Sequence, residues 1–258
     1  MTAALTGELR AARVVWQREM IHFLRNRGRV ALGLLQPLLF LLVLGTGLGS
    51  FAGADSAAYR AYLFPGVLVM TVQTPAIGAG ASIVWDRETG FLREMLVAPV
   101  RRSTLLLGRC AGGATVATCQ GALVLPLAWT AHVSYDPALI AASIAELFLT
   151  ALSLTALGAV AAVCITRIQT FQAVLGFALA PMLFLSGAMF PLSGLPRWLA
   201  LACLANPLTY AVDPLRRVIV GSGPATVPQL PVVAELAITA ALAAAALAVA
   251  ARRFARPG

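Results

Sequence analysis

Long uncharged runs alternate along this chain with short segments that carry arginine. Residues 30–54 and 61–85 hold no charged side chain, and neither do residues 110–135. Residues 137–166 are interrupted only by Glu146, residues 168–196 are again uncharged, and residues 218–251 carry only Glu235. About 20 apolar residues in a helix cross the ~30 Å of a bilayer's hydrocarbon, so each run predicts one crossing. The pattern predicts an all-α integral membrane protein with six spans, at residues 30–49, 62–85, 110–132, 140–166, 174–190 and 231–251.

Two stretches outside the spans have their own periodicity. Near the N-terminus Leu5, Leu9, Ala12, Trp16, Met20 and Phe23 recur at three- and four-residue steps and share one helical face. Arg10, Arg13, Arg18 and Arg25 lie off that stripe, so residues 1–29 are expected to form a helix along the cytoplasmic interface, with arginines toward lipid phosphates. A basic topology signal that happens to be helical is the alternative. The second stretch, residues 191–231, is moderately apolar but broken by Pro196, Pro207, Pro214, Pro224 and Pro228. Too interrupted to span, it is expected to dip into the outer leaflet as short re-entrant helices that leave Trp198 and Tyr210 at the interface.

Composition strengthens this reading. The 258 residues are 60% hydrophobic and 11% charged, where a soluble domain runs near one quarter charged, so much of the surface must face lipid. The net charge of +9 is nineteen arginines, with no lysine, against ten acidic residues. Those arginines sit beside apolar runs, which fits the positive-inside rule and not a groove that tracks nucleic-acid phosphates. Fifteen fall before the first predicted span, between the second and third, after the fourth or after the sixth, and four fall on the opposite side. Both termini are therefore expected in the cytoplasm. The first apolar run lies behind too long a basic segment, and is itself too long, for a cleaved signal peptide, and reads as a retained anchor.

Chemistry is sparse. The cysteines (Cys110, Cys119, Cys164 and Cys203) have no CxxC spacing, and His22 and His132 have no metal-ligand neighbour at i+4. A chain without lysine holds no standard phosphate loop, and no H-E-x-x-H or G-x-S-x-G occurs. No catalytic residue, cofactor site or metal site is expected. Glu146 is the one acid well inside a predicted span, about 12 Å down its helix. It either faces protein or water, along a substrate or proton path, or slides to the outer interface.

The most informative segment is the loop from Asp86 to Arg102. Phe91, Leu92, Met95 and Leu96 form an apolar helical face ringed by Asp86, Arg87, Glu88, Arg93 and Glu94, and Pro99 ends it. Such a face is costly in cytoplasm unless it meets a groove on a partner or lies on the membrane, and charges of both signs around it favour a protein.

The run from Asp86 to Val100, followed by Leu107-Gly108-Arg109, resembles the signature of type-2 ABC exporter membrane subunits, most closely the daunorubicin-resistance branch. The segments at Phe190–Leu199 and Asn206–Arg216 resemble the same family's outer re-entrant region, so that the resemblance covers essentially the whole chain. It implies a separate cytoplasmic ATPase dimer that holds ATP and Mg2+, and a second permease, identical or a sister. It implies a coupling helix bearing Glu88, Gly90, Phe91, Leu92, Glu94, Met95, Leu96, Ala98 and Pro99, and a connector helix using Leu9, Trp16, Met20 and Phe23. It further implies a re-entrant segment with Pro191, Trp198, Asn206, Pro207, Tyr210, Asp213 and Arg216, and a dimer seam through the first and fifth spans. Gly45 and Gly49 allow close helix approach at that seam. The implied function is ATP-driven export of a drug-like or lipid-like amphiphile across a bacterial inner membrane. Export of polysaccharide or lipo-oligosaccharide, and proton-coupled transport through Glu146, remain as alternatives.

Overall fold

The computed structural model describes residues 2–47, 56–90, 101–131, 136–192, 194–221 and 230–255, and among them every regular element is helical. Asn26 separates α1 (Thr2–Arg25) from α2 (Arg27–Leu39). Its side-chain oxygen accepts from the Arg29 amide at 3.2 Å and caps the second helix. Pro37 has no amide to donate, and beyond it the backbone widens into a π-helical turn at Phe40–Leu44. Helices α3 (Ser56–Gly78) and α4 (Gly80–Glu88) form one apolar rod with a break at Ala79, between two glycines and one turn past Pro75.

Helix α5 (Arg102–Ala122) continues into a 3₁₀ segment at Leu125–Ala131. Asp136 caps α6 (Pro137–Cys164) by accepting from the Ala138 amide at 2.9 Å, and Pro137 occupies the first turn, where its missing amide costs nothing. Then come α7 (Ile168–Phe184), the short α8 (Arg197–Ala205) and α9 (Thr209–Val220), and α10 (Val232–Ala255).

Among the described residues, five segments are long and apolar enough to cross a membrane: Arg27–Gly47, Tyr59–Glu88, Arg102–Trp129, Pro137–Cys164 and Val232–Phe254. The chain is thus a multi-pass membrane protein. Helix α7 has 17 residues, or about 25 Å at 1.5 Å per residue, the lower limit for a span. The sequence pattern places this helix at 174–190; the structure starts it six residues earlier and turns the chain after Phe184. The turn depends on Gly187, whose φ of 74° suits glycine. Tyr62 holds the Gly187 carbonyl at 3.1 Å and Arg216 holds it at 2.7 Å.

Helix α6 is central and packs against α3, α4, α5, α9 and α10. Lipid tails are as apolar as leucine, so close contact rather than escape from water must hold these helices together. Small residues allow that contact. A side chain at Gly158 would strike the Ile77 carbonyl, and one at Gly80 would strike the Gly158 carbonyl, so α6 meets the α3–α4 rod backbone to backbone. Leu63, Phe64 and Leu68 fill one end of the bundle with Leu147 and Leu215, while Val84, Leu106, Phe171 and Ala250 fill the other. The second span is mostly buried, whereas the first and the last are mostly exposed, which leaves those two at the periphery.

Candidate transport and coupling site

Asp86, near the end of α4, is buried and ion-pairs with the buried guanidinium of Arg109 on α5. Arg18 of α1 approaches the same carboxylate at 3.9 Å, and Arg109 also donates to the Ser82 hydroxyl at 3.4 Å. One acid therefore joins three elements: the N-terminal helix and the helices on both sides of the loop from 91 to 100. The two inner partners lie below one-tenth exposed and carry most of the interaction, whereas Arg18, 42% exposed, adds little across water.

Helix α1 does not simply rest on lipid. Glu8 accepts from the Thr104 hydroxyl and from the Arg101 amide at 3.2 Å, and the Trp16 indole donates to Thr115 at 3.1 Å. A side chain added at Gly108 would lie 2.8 Å from the Ala12 carbonyl, and one at Gly112 would lie 3.0 Å from the Glu19 Cβ. Residue numbers rise together along this seam, so α1 runs parallel to α5. The packed face includes buried Val15, while Leu9 is 71% exposed and Val14, Ile21 and Leu24 are also exposed. Of the stripe that the periodicity assigns to lipid, Leu9 is exposed, whereas Ala12 and Trp16 pack on α5. The cause is the missing Cβ atoms of Gly108 and Gly112, which let a second helix seat against α5.

Toward the opposite end of the bundle, Asp213, Arg216 and Arg217 of α9 meet Glu146 of α6 and Glu235 of α10. Arg217 pairs with Asp213, lies 3.6 Å from Glu235 and donates to the Leu230 carbonyl at 2.7 Å. Arg216 stacks 4.0 Å above the Tyr62 ring. Desolvation lowers the Arg216 pKa from its ordinary value, and Tyr62 and Asp213 act against that. Glu146 is buried, and its Oε1 finds no hydrogen bond among the described residues. It lies within the protein rather than at the lipid boundary. Asn206 donates to the Met182 carbonyl at 2.6 Å and accepts from the Leu208 amide, and the Tyr210 hydroxyl bonds the Leu204 carbonyl at 2.8 Å. Pro207 is half-buried, whereas Pro191 and Trp198 are exposed.

A cleft of about 590 Å³ opens between the α1–α2 junction, the α3–α4 rod, α5 and α7. Glu19, His22 and Arg29 line it from α1 and α2, Thr74 from α3, Gln120 from α5, and Leu175 and Leu179 from α7.

Phe91, Leu92, Glu94, Met95, Leu96, Ala98 and Pro99, expected on the coupling helix, lie outside the described residues, as does Gly49. Glu88 ends α4 exposed, and Gly90 follows with φ 78°. Gly45 faces the side chain of Arg60 within the same chain. Sequence reasoning missed Asp86 as a buried ion-pair partner, and it missed Glu8, Gln120 and the Gly108-x-x-x-Gly112 spacing. That spacing was legible, but its partner helix was not.

The fold and these sites define a helical membrane protein whose charged joints lie at both ends of an apolar bundle. Residues 10–220 match the model of the ABC-2 type transporter family, and the chain belongs to that family. It is 28% identical over 208 residues to the putative transport permease ycf38 of Cyanophora paradoxa, covering 79% of this chain and 72% of that one. It is 30% identical to nodulation protein J of Rhizobium leguminosarum bv. trifolii, over 80% of each. With the probable multidrug ABC transporter permease YbhR of Escherichia coli (strain K12) it shares 28% identity, over 60% of this chain and 42% of the other. The chain is a transmembrane transport subunit of an ABC transporter, a family membership that implies partnership with an ABC ATPase subunit.

Proposed function

We propose that this chain is the permease of an ATP-driven exporter that carries a drug-like or lipid-like amphiphile out of the cytoplasm or the inner leaflet of a bacterial cytoplasmic membrane. The observation that carries the reading is the joint at Asp86, because it ties both flanks of the loop from 91 to 100 to the N-terminal helix. The apolar residues Phe91, Leu92, Met95 and Leu96 seat in a groove of the ATPase, with Glu88 and Glu94 setting the register. Movement of that seat pulls on α4 and α5 together, and through Glu8, Ala12 and Trp16 it takes α1 along. Helix α1 then acts as the connector.

On this reading α7 is a sixth, short span, which returns the C-terminus to the cytoplasmic side where the arginine distribution puts it. Helices α8 and α9 are the outer re-entrant pieces, anchored by Asp213, Arg216 and Asn206. Exposed faces on α2 and α7, including Leu32, Leu35 and Phe177, meet lipid and a second permease, identical or a sister. Similarity to the probable multidrug permease of Escherichia coli supports a drug-like cargo.

The deciding experiment is affinity capture of the tagged chain from mildly solubilised native membranes, followed by identification of stoichiometric partners. Recovery of a protein with a phosphate-binding loop supports the exporter, and its repeated absence removes it.

A further inference from the structure

We infer that the cleft between the α1–α2 junction and helices α3, α5 and α7 binds one amphiphile whose buried end carries neutral hydrogen-bonding groups, with Gln120 as the residue that recognises them. As the cargo site of the proposed exporter it rests on that reading; as a binding site it stands by itself.

The argument begins with Gln120. Its side chain is 6% exposed, lines the cleft and makes no hydrogen bond among the described residues. Buried amides are nearly always satisfied, so one left open toward a cavity asks for an outside partner. Gly33 lies opposite on α2, and the Gln120 amide nitrogen occupies the space that a Cβ at residue 33 would need. Glycine at that position gives the amide its place beside the cavity.

Charge and depth define the ligand. Gln120 lies eight residues beyond Gly112, the level at which Glu19 of α1 packs, and so about 12 Å further along the α5 axis. The polar groups that face the cleft from α3, α4, α5 and α7, Thr74, Ser82, Gln120 and Gln172, are neutral, while Glu19, His22 and Arg29 come from α1 and α2. An ionised group held against Gln120 loses water and receives from that residue only a neutral amide. A hydroxyl or carbonyl gains a hydrogen bond there. Leu175 and Leu179 offer the wall for an apolar body. At about 590 Å³ the space suits a molecule of drug size, not a long hydrated chain.

The test is photolabelling of the full chain in lipid nanodiscs with three matched probes, read by peptide mass spectrometry. They are 4-hydroxybenzophenone, unsubstituted benzophenone and benzophenone-4-carboxylate. The hydroxylated probe is expected to label the α5 segment around Val116–Gln120 saturably. Gln120→Leu should weaken that labelling about five- to tenfold, as the loss of one ordinary hydrogen bond gives, while labelling by benzophenone, which has only the ketone common to all three probes, should fall less. Gly33→Ala, which displaces the amide and leaves its chemistry intact, should weaken the hydroxylated probe likewise, and so covers a Gln120 variant that misfolds. Labelling that never saturates, that ignores both substitutions, or that is as strong at depth for the carboxylate overturns the assignment. No ATPase takes part, so failure here leaves the exporter reading standing, and absence of an ATPase partner would leave a positive binding result intact.

Discussion

The Asp86 carboxylate and the Arg109 guanidinium, 23 residues apart in sequence, close a buried ion pair across the loop that joins the second and third spans. Both charges are removed from water, so each depends on the other for compensation. That dependence makes the pair sensitive to loss of either partner and far less sensitive to loss of both.

Asp86→Leu or Arg109→Leu alone should therefore destabilise the purified protein by about 3–5 kcal/mol, because each leaves a buried charge unmatched. The double substitution Asp86→Leu with Arg109→Leu should recover much of that loss, a coupling well above that of independent sites. Denaturation of the four proteins in the same detergent measures it. Simple additivity would mean that the two side chains do not interact.

Gly108→Val should separate α1 from α5, since the nearest backbone atom of α1 lies 2.8 Å from where the first added carbon must go. Overpacking of this kind costs about 1–3 kcal/mol. The Trp16 to Thr115 hydrogen bond gives an optical handle, because withdrawal of the indole from α5 should shift its fluorescence to the red. An unchanged emission spectrum would contradict the parallel seam.

At the other end, Arg217→Ala leaves Asp213 and Glu235 without their shared cation and should cost about 3–5 kcal/mol. Glu146→Gln keeps the shape and a hydrogen-bonding group, and the protein should fold and export normally. If Glu146→Gln stops transport while an ATPase-dead partner does not, a proton-coupled carrier is the better description.

Leu92→Ala combined with Met95→Ala should leave membrane insertion intact but abolish ATPase association, since anchors of this kind contribute about 2 kcal/mol or more apiece. Co-purification of the ATPase with the double variant at wild-type yield would sink the coupling role.

Helix class and membrane residence were legible because lipid exposure is a property of composition: an uncharged run of sufficient length needs no partner to be recognised. Helix ends were less so. Helix α7 ends six residues before the predicted boundary because its end depends on what holds Gly187, namely Tyr62 of α3 and Arg216 of α9. Neither lies near it in sequence.

From the sequence alone came the apolar crossings, the arginine asymmetry, the pattern of the loop and the family resemblance, all readable from local composition and order. Tertiary structure alone decided that Asp86 faces Arg109, that Gly108 and Gly112 receive α1, that Glu146 is enclosed, and that Gln120 opens onto a cleft beside Gly33. The physical reason is common to all four. A lone charge, a glycine or an amide in an apolar helix looks the same in sequence whatever it faces, and in lipid only the neighbouring helix determines whether it is paired, packed or left open.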